Sequence, residues 1–342
     1  MTTIFIFVHN RDMPRIHDLP HPRRSLRTLP ATALALAGLA AGLAGCGGGD
    51  AAATSGKAEV VASFYPAAWL AEKVGGGDVS VRTLTEPGTE PHDLELTPRQ
   101  VADVTKADFT VYIGGVQPAV DEAVEQHAKD ASLDAASVVK ALPAPETGDE
   151  EHGHEHENDH GHEHDHGHEH EDDPHIWLDP SRMATIATAL GERLAKADPD
   201  HASGYRERAK STAAELTALD GAYKDGLKTC ERREIITAHA AFGYLADRYD
   251  LKQIPIAGVD PGAEPSPRRM AELTRRVSDT GATTIFTETL VSPKVSEALA
   301  RAAGVKTAVL DPVEGIRKGS SDDYISIMKK NLRALGPALE CT

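Results

Sequence analysis

Beyond residue 58, short apolar runs alternate with longer segments whose apolar residues recur at helical spacing. The short runs predict β-strands at residues 59–64, 79–83, 109–113, 235–237, 251–256, 284–287 and 307–310. The segments between them predict helices at residues 67–74, 97–107, 118–129, 181–196, 242–249, 266–280, 292–303 and 321–334. This alternation is typical of parallel sheets with helices on their faces, so we predict an α/β fold.

A long helical pattern runs from Asp198 to about Leu227, with no proline after Pro199. Asp198 is predicted to cap this helix, with Pro199 in its first turn. Roughly 28 residues at 1.5 Å each reach about 40 Å, which is longer than one small domain. We predict a rigid linker helix that joins two lobes; a long surface helix would give the same pattern.

The first 46 residues are typical of an export signal. Arg23, Arg24 and Arg27 precede an apolar run at 29–43, which is shorter than a membrane-spanning helix requires. The run ends in Leu-Ala-Gly-Cys, which resembles the lipobox of bacterial lipoproteins and makes Cys46 the expected lipidation site. A plain secretory signal with an incidental cysteine is the alternative. Both interpretations place the mature protein outside the cytoplasm.

Charge is concentrated in one low-complexity segment. The 342-residue chain has a formal net charge of -17, and residues 146–173 contain thirteen Asp and Glu but no Lys or Arg. The rest of the chain has no basic patch, so we expect no nucleic-acid partner. The same segment contains nine histidines: His152, His154, His156, His160, His162, His164, His166, His168 and His170. Its composition predicts a disordered, metal-binding loop; a solvated charged linker is the alternative.

These patterns divide the chain into five parts. We predict a signal peptide at 1–46, a flexible tether at 47–57, an N-terminal α/β lobe at 58–180 with the His-rich loop inserted at 146–173, a helical region with the linker at 181–228, and a C-terminal α/β lobe at 229–342.

Three isolated histidines are candidate metal ligands. His92 lies between a strand and a helix, His175 in an Asp-Pro-His motif, and His239 directly after a strand. Asp311 and Glu288 also follow strands, and in open α/β sheets ligands bind beyond the carboxyl ends of the strands. Three imidazoles and one carboxylate suit tetrahedral zinc, although a lone histidine beside a strand is more often structural.

The motifs around these residues resemble the zinc- and manganese-binding solute receptors of metal ABC transporters. The motifs are Pro91-His92 with Thr97-Pro98, Asp173-Pro-His-Ile-Trp-Leu-Asp-Pro180, His239 with Ala241-Phe-Gly-Tyr244, Glu264-Pro-Ser-Pro267, Phe286-Thr-Glu288 and Leu310-Asp-Pro312. The resemblance implies two α/β lobes joined by a long helix.

The resemblance also implies a ligand set and a partner. It assigns His92, His175, His239 and Asp311 as ligands, and it gives Glu288 a supporting role beside them. A histidine at position 239, where manganese receptors carry Glu, favours zinc as the transported metal. The expected partners are an ABC permease and, through Cys46, the membrane; the receptor is expected to be a monomer.

Cys230 and Cys341 are the two cysteines of the mature chain beyond the lipobox. An oxidising extracytoplasmic setting favours a disulfide between them, and two free thiols are the alternative. No CxxC pair is present, which excludes a cysteine zinc knuckle and a thioredoxin-type motif.

The sequence therefore predicts a zinc receptor rather than an enzyme. A manganese or iron receptor of the same family is one alternative. A zinc hydrolase would also suit three histidines, but none of His92, His175 and His239 lies in an HExxH motif. A periplasmic zinc buffer or a zinc-binding adhesin is the third possibility.

Overall fold

A computed structural model of the chain describes residues 56–145 and 172–342. The predicted signal peptide, Cys46 and the nine histidines of the loop lie outside the described residues, as does the tether up to residue 55. Asp172 and Asp173, which we assigned to the loop, belong to the described structure. None of the described helices is long and apolar enough to cross a membrane.

The first lobe is built on a parallel four-stranded sheet. Its strands are β1 (Ala58–Ala62), β2 (Val79–Thr83), β3 (Phe109–Tyr112) and β4 (Ser132–Asp134), in the order β2-β1-β3-β4. Its helices are α1 (Tyr65–Gly75), α2 (Pro98–Lys106) and α3 (Pro118–His127). The three-residue strand β4 was not predicted.

The second lobe repeats this order. Its strands are β5 (Glu234–Thr237), β6 (Lys252–Pro255), β7 (Thr284–Thr287) and β8 (Lys306–Val309), in the parallel order β6-β5-β7-β8. Its helices are α6 (Gly243–Arg248), α7 (Pro267–Thr280) and α8 (Lys294–Ala303).

Three longer helices complete the described fold. They are α4 (Pro180–Ala197), α5 (Ala202–Gly226) and the last helix, α9 (Tyr324–Leu339). The 25 residues of α5 span about 37 Å, and this helix packs against α1 of the first lobe and against α9. The prediction of two α/β lobes joined by a long helix is therefore confirmed.

Helix starts follow the predicted caps, with one correction. The hydroxyl of Thr97 accepts the N–H of Gln100, and that of Ser266 accepts the N–H of Arg269. Asp198, however, does not cap α5, because a short turn at Pro199–His201 intervenes. Its carboxylate instead accepts the hydroxyl of Tyr205 at 2.8 Å.

The main core joins the sheets to the long helices. Trp177 and Tyr324 are completely buried in it. Phe64 meets Trp177 edge-on at 5.0 Å between ring centroids, and Trp69 stacks on Tyr324 at 4.7 Å. Residues from the first lobe thus pack directly against the last helix.

The predicted disulfide between Cys230 and Cys341 is confirmed. Beside it, the N–H of Thr342 donates to the carbonyl of Thr229 at 2.9 Å. The end of the chain is therefore fastened to the segment that precedes β5.

Candidate metal centre

The sheet topology brings candidate residues together at strand ends. Strands β5 and β7 are neighbours, and the chain leaves them in different directions along the sheet, to β6 and to β8. His239 follows β5 and Glu288 follows β7. Their side chains meet there, as expected at the point where the strand order diverges.

Four side chains converge at the interface of the two lobes. They are His92, His175, His239 and Glu314, and one potential ligand atom from each lies within 4.8 Å of the others. The side chains of His175 and His239 are fully buried, that of Glu314 is 1% exposed and that of His92 is 8% exposed. The first two histidines come from the first lobe, and the other two residues come from the second.

The distances from Glu314 to the three histidines fit a tetrahedral metal site. The Oε1 atom of Glu314 lies 3.2 Å from Nε2 of His239, 3.5 Å from Nε2 of His175 and 3.6 Å from Nε2 of His92. Bonds of about 2.0–2.1 Å at tetrahedral angles place two ligand atoms roughly 3.3 Å apart. All three distances are close to that value.

Two of the imidazoles are oriented by carboxylates on their far sides. Nδ1 of His175 lies 2.7 Å from Oδ1 of Asp173, and Nδ1 of His239 lies 2.8 Å from both carboxylate oxygens of Glu288. When each carboxylate accepts the Nδ1 proton, the lone pair of the ring is left at Nε2, which faces the other ligand candidates. Glu288 thus contacts His239 on the side of the ring opposite the four-residue group.

His92 is held through its backbone. Its N–H donates to the carboxylate of Glu90 at 3.1 Å. The carbonyl of the preceding Pro91 accepts from Nε2 of Gln117 at 3.0 Å, and Gln117 is itself buried. The loop between β2 and α2 is thereby fixed against α3.

The lobes also meet beside His175. The hydroxyl of Tyr244, at the start of α6, donates to the carbonyl of Asp173 at 2.7 Å and accepts the N–H of Leu142 at 2.9 Å. A Cβ atom on Gly243 would lie 2.4 Å from Oδ2 of Asp173. A glycine is therefore required at position 243 for Asp173 to pack where it does.

The electrostatics of the group link the imidazoles to the carboxylates. Burial disfavours the charged ring of His239, but Glu288 and Glu314 outweigh that effect and raise its pKa to about 10. Burial likewise opposes ionisation of Glu314, yet His239, His175 and His92 hold the pKa of this carboxyl well below its usual range. The group thus places one buried carboxylate among three imidazoles.

Asp311, the predicted fourth ligand, is not in the group that the described residues form. Its Oδ1 atom accepts the N–H of Val313 at 2.8 Å. Glu314, three residues farther along, lies beside the histidines instead. Glu314 is an acidic residue in the loop after β8, as Asp311 is, so the sequence makes it a candidate ligand as well. The position of a strand end does not show which of the two side chains the loop turns toward the histidines.

The group also has atoms that lack a partner. Within the described part of the chain, Nε2 of His92 and Nε2 of His175 are buried without a hydrogen bond. Buried polar atoms normally have a hydrogen-bond partner. Two unpaired nitrogens beside one carboxylate therefore indicate a site where a cation binds. Three nitrogens and one oxygen suit Zn(II) in particular.

Bacterial proteins named for zinc binding and zinc uptake are similar in sequence to this chain over most of its length. Zinc-binding lipoprotein AdcA of Streptococcus pneumoniae serotype 4 is 37% identical in an alignment of 302 residues that covers 83% of this chain and 58% of AdcA. This chain therefore spans little more than half the length of that relative. High-affinity zinc uptake system protein ZnuA of Bacillus subtilis is 36% identical in an alignment of 304 residues that covers 87% of this chain and 93% of that protein.

Solved structures share the fold. The Zn(II)-bound ZnuA-like domain of Streptococcus pneumoniae AdcA matches with a TM-score of 0.69 at 32% identity, over 83% of this chain and 100% of that domain. A mutant of the laminin-binding adhesin Lmb of Streptococcus agalactiae matches with a TM-score of 0.70 at 28% identity, over 83% of this chain and 100% of that chain.

A family model covers nearly all of the described residues. It is described as "ZnuA: Zinc-uptake complex component A periplasmic" and matches residues 60–338. On this match and on the identity to the two relatives, the chain belongs to the ZnuA family of zinc-uptake components.

Proposed function

We propose that this protein is an extracytoplasmic receptor that captures Zn(II) and delivers it to an ABC permease. The observation that carries the proposal is the position of Glu314 Oε1, 3.2–3.6 Å from the Nε2 atoms of three histidines. His92, His175, His239 and Glu314 are the proposed ligands. Relatives named for zinc binding and zinc uptake support the same function.

The donor set favours zinc over manganese. Imidazole nitrogen suits zinc, whereas manganese is commonly bound by carboxylate, carbonyl and water oxygens. With three nitrogens to one oxygen, the proposed site would bind Mn(II) far more weakly. A manganese or iron receptor is therefore the less supported alternative.

A hydrolase is also less supported. Catalytic zinc sites keep one position open for water, whereas the carboxylate of Glu314 takes the fourth corner of the proposed tetrahedron. The burial of Glu314 and of the histidines leaves little room for a substrate at the metal.

Both lobes contribute proposed ligands, so zinc binding would give the permease a distinct form of the receptor to recognise. Zinc held by His92 and His175 on one side and His239 and Glu314 on the other would bridge the lobes. We propose that the permease recognises this bridged form and that release requires the lobes to separate. Lipidation at Cys46 would keep the receptor, as a monomer, at the membrane surface near the permease.

We propose that the histidines of the loop collect zinc at lower affinity than the core site. The test is deletion of residues 147–171, which keeps Asp172 and Asp173. Competitive titration and elemental analysis should then find about one tightly bound zinc per chain. Loss of all tight binding would place the site in the loop and overturn the assignment.

Delivery can be tested separately from binding. Uptake of radioactive zinc by cells that carry the permease should depend on the receptor, and His239→Ala should abolish that dependence. A protein acting only as a buffer or adhesin would bind zinc equally well, yet its removal would leave the initial uptake rate unchanged.

A further inference from the structure

The residue before Glu314 has an unfavourable backbone conformation. Val313 has a φ of 58°, in the left-handed region that β-branched residues rarely adopt. The other non-glycine residues with positive φ in the described ranges are Asp250 and Glu340, neither of which is β-branched. Val313 is also completely buried, so its surroundings must hold it in place.

Asp311 supplies one restraint on this turn. Its Oδ1 atom accepts the N–H of Val313 at 2.8 Å, which closes a short turn around Pro312. The backbone of Asp311 is fixed in turn by buried Asn331 on α9. Oδ1 of Asn331 accepts the N–H of Asp311 at 2.9 Å, and its Nδ2 donates to the carbonyl of Asp311 at 2.7 Å.

Trp177 supplies a second restraint from the other lobe. Its indole Nε1–H donates to the carbonyl of Pro312 at 2.7 Å, and its own carbonyl accepts the hydroxyl of Tyr324 at 2.5 Å. The segment from Pro312 to Tyr324, which contains Glu314, is thus hydrogen-bonded to Trp177 at both of its ends. Trp177 follows His175 by two residues, and their ring centroids are 5.0 Å apart.

We infer that Asp311 and Trp177 are positioning residues that hold Glu314 in its place before zinc arrives. Asp311 keeps the strained turn at Val313 closed, and Trp177 sets the distance between this turn and His175. The inference rests on the proposed function, because it takes Glu314 to be a zinc ligand. It gives Asp311 a role through hydrogen bonding, with no direct bond to the metal.

A positioning role and a ligand role predict different effects of Asp311→Asn. The amide oxygen of asparagine can still accept the N–H of Val313, so a positioning residue tolerates this change. A metal ligand would lose its charged oxygen and would not. Asp311→Ala removes the acceptor in both cases, and Trp177→Phe removes only the indole N–H while keeping an aromatic ring.

The experiment uses the full chain with one molar equivalent of metal. Zinc affinity is measured by competition with a chelator, and the visible absorption of Co(II) reports the number and type of ligands. We expect Asp311→Ala and Trp177→Phe to weaken zinc binding about 10- to 100-fold and to shift the Co(II) spectrum toward that of Glu314→Gln. Asp311→Asn should restore both readouts to within about threefold of the wild type.

Two further variants control for folding. Asp260→Ala removes the same kind of aspartate-to-backbone bond, to the N–H of Gly262 in an exposed loop, and should leave both readouts unchanged. Val313→Gly removes the strain, because glycine adopts positive φ readily. Combined with Asp311→Ala, it should recover zinc affinity even if the melting temperature stays low.

The outcomes separate this inference from the proposed function. If Asp311→Asn is as weak as Asp311→Ala while Glu314→Gln binds normally, Asp311 is the ligand and the inference is overturned. If Asp311→Ala and Trp177→Phe both match the wild type while Glu314→Gln is weak, the inference fails and the proposed site stands. If neither Glu314→Gln nor His239→Ala weakens binding, the proposed function itself fails.

Discussion

Nδ1 of His239 lies 2.8 Å from both carboxylate oxygens of Glu288, across the boundary between the ends of β5 and β7. The backbone N–H of His239 donates to the same carboxylate at 3.1 Å. One buried carboxylate therefore fixes both the ring and the backbone of His239. This contact also makes the imidazole a stronger electron donor toward a metal at Nε2.

Removing this carboxylate should weaken zinc binding without removing a ligand. We expect Glu288→Ala to reduce zinc affinity about 10- to 100-fold, and Glu288→Gln to reduce it less, because the amide oxygen can still accept the Nδ1 proton. Chelator competition measures both. Glu297→Ala, on the exposed side of α8, is the matched control and should behave as the wild type. Equal affinities for all three variants would rule out this role for Glu288.

Zinc binding should release protons at neutral pH. Although burial opposes the charge, carboxylates raise the pKa of His239 to about 10 and also raise that of His175. With a pKa of about 10, His239 carries a proton at pH 7 in the metal-free protein, and coordination requires neutral imidazole. Protons compete with zinc, so apparent affinity should rise with pH by about tenfold per unit for each proton released.

Calorimetric titration in buffers of different ionisation enthalpy measures this release directly. His201→Ala serves as the control, because that histidine pairs with Asp198 and is absent from the four-residue group. It should leave the proton count unchanged. A binding enthalpy that does not vary with the buffer would contradict the account.

Metal preference should depend on His239. Replacing it with glutamate changes the proposed donor set from three nitrogens and one oxygen to two of each. Selectivity should then shift toward manganese, although zinc should still bind more tightly in absolute terms. The measurement is the ratio of the zinc and manganese dissociation constants in the wild type and in His239→Glu, both lacking residues 147–171. An unchanged ratio would show that position 239 does not face the metal.

The disulfide should contribute to stability and not to zinc affinity. Cys230 and Cys341 are separated by 111 residues, and closing a loop of that length restricts the unfolded chain. We expect the double change to serine to lower the free energy of unfolding by about 2–5 kcal/mol. Denaturant unfolding of the metal-free protein measures this loss. Zinc affinity should stay within about threefold of the wild type, since neither cysteine is in the four-residue group.

Much of the fold follows from local sequence patterns. Strand β2 begins and ends where its apolar run predicts, and α2 and α7 begin after the predicted caps Thr97 and Ser266. Strand β4 could not be predicted in this way, because three residues are too few to show an alternating pattern. Helix α9 continues past the predicted end at 334 and accommodates Pro337 near its end.

The candidate site was predictable only in part. The three histidines follow recognisable motifs, so the sequence identifies them. Glu314 depends on how the chain turns at Val313, and that turn depends on partners such as Trp177, which is 135 residues distant from Pro312 in sequence. The role of Asp173 was not predicted, because this residue ends an acidic segment whose composition predicts disorder. Its burial follows from contacts with His175 and Tyr244.

The central claim is that zinc binds between the lobes to His92, His175, His239 and Glu314. Anomalous diffraction at the zinc absorption edge, from crystals of the protein loaded with one equivalent of zinc, tests it most directly. We predict one strong peak about 2.0–2.1 Å from the three Nε2 atoms and from a carboxylate oxygen of Glu314. A peak bound by Asp311 in place of Glu314, or one held by histidines of the loop, would contradict it.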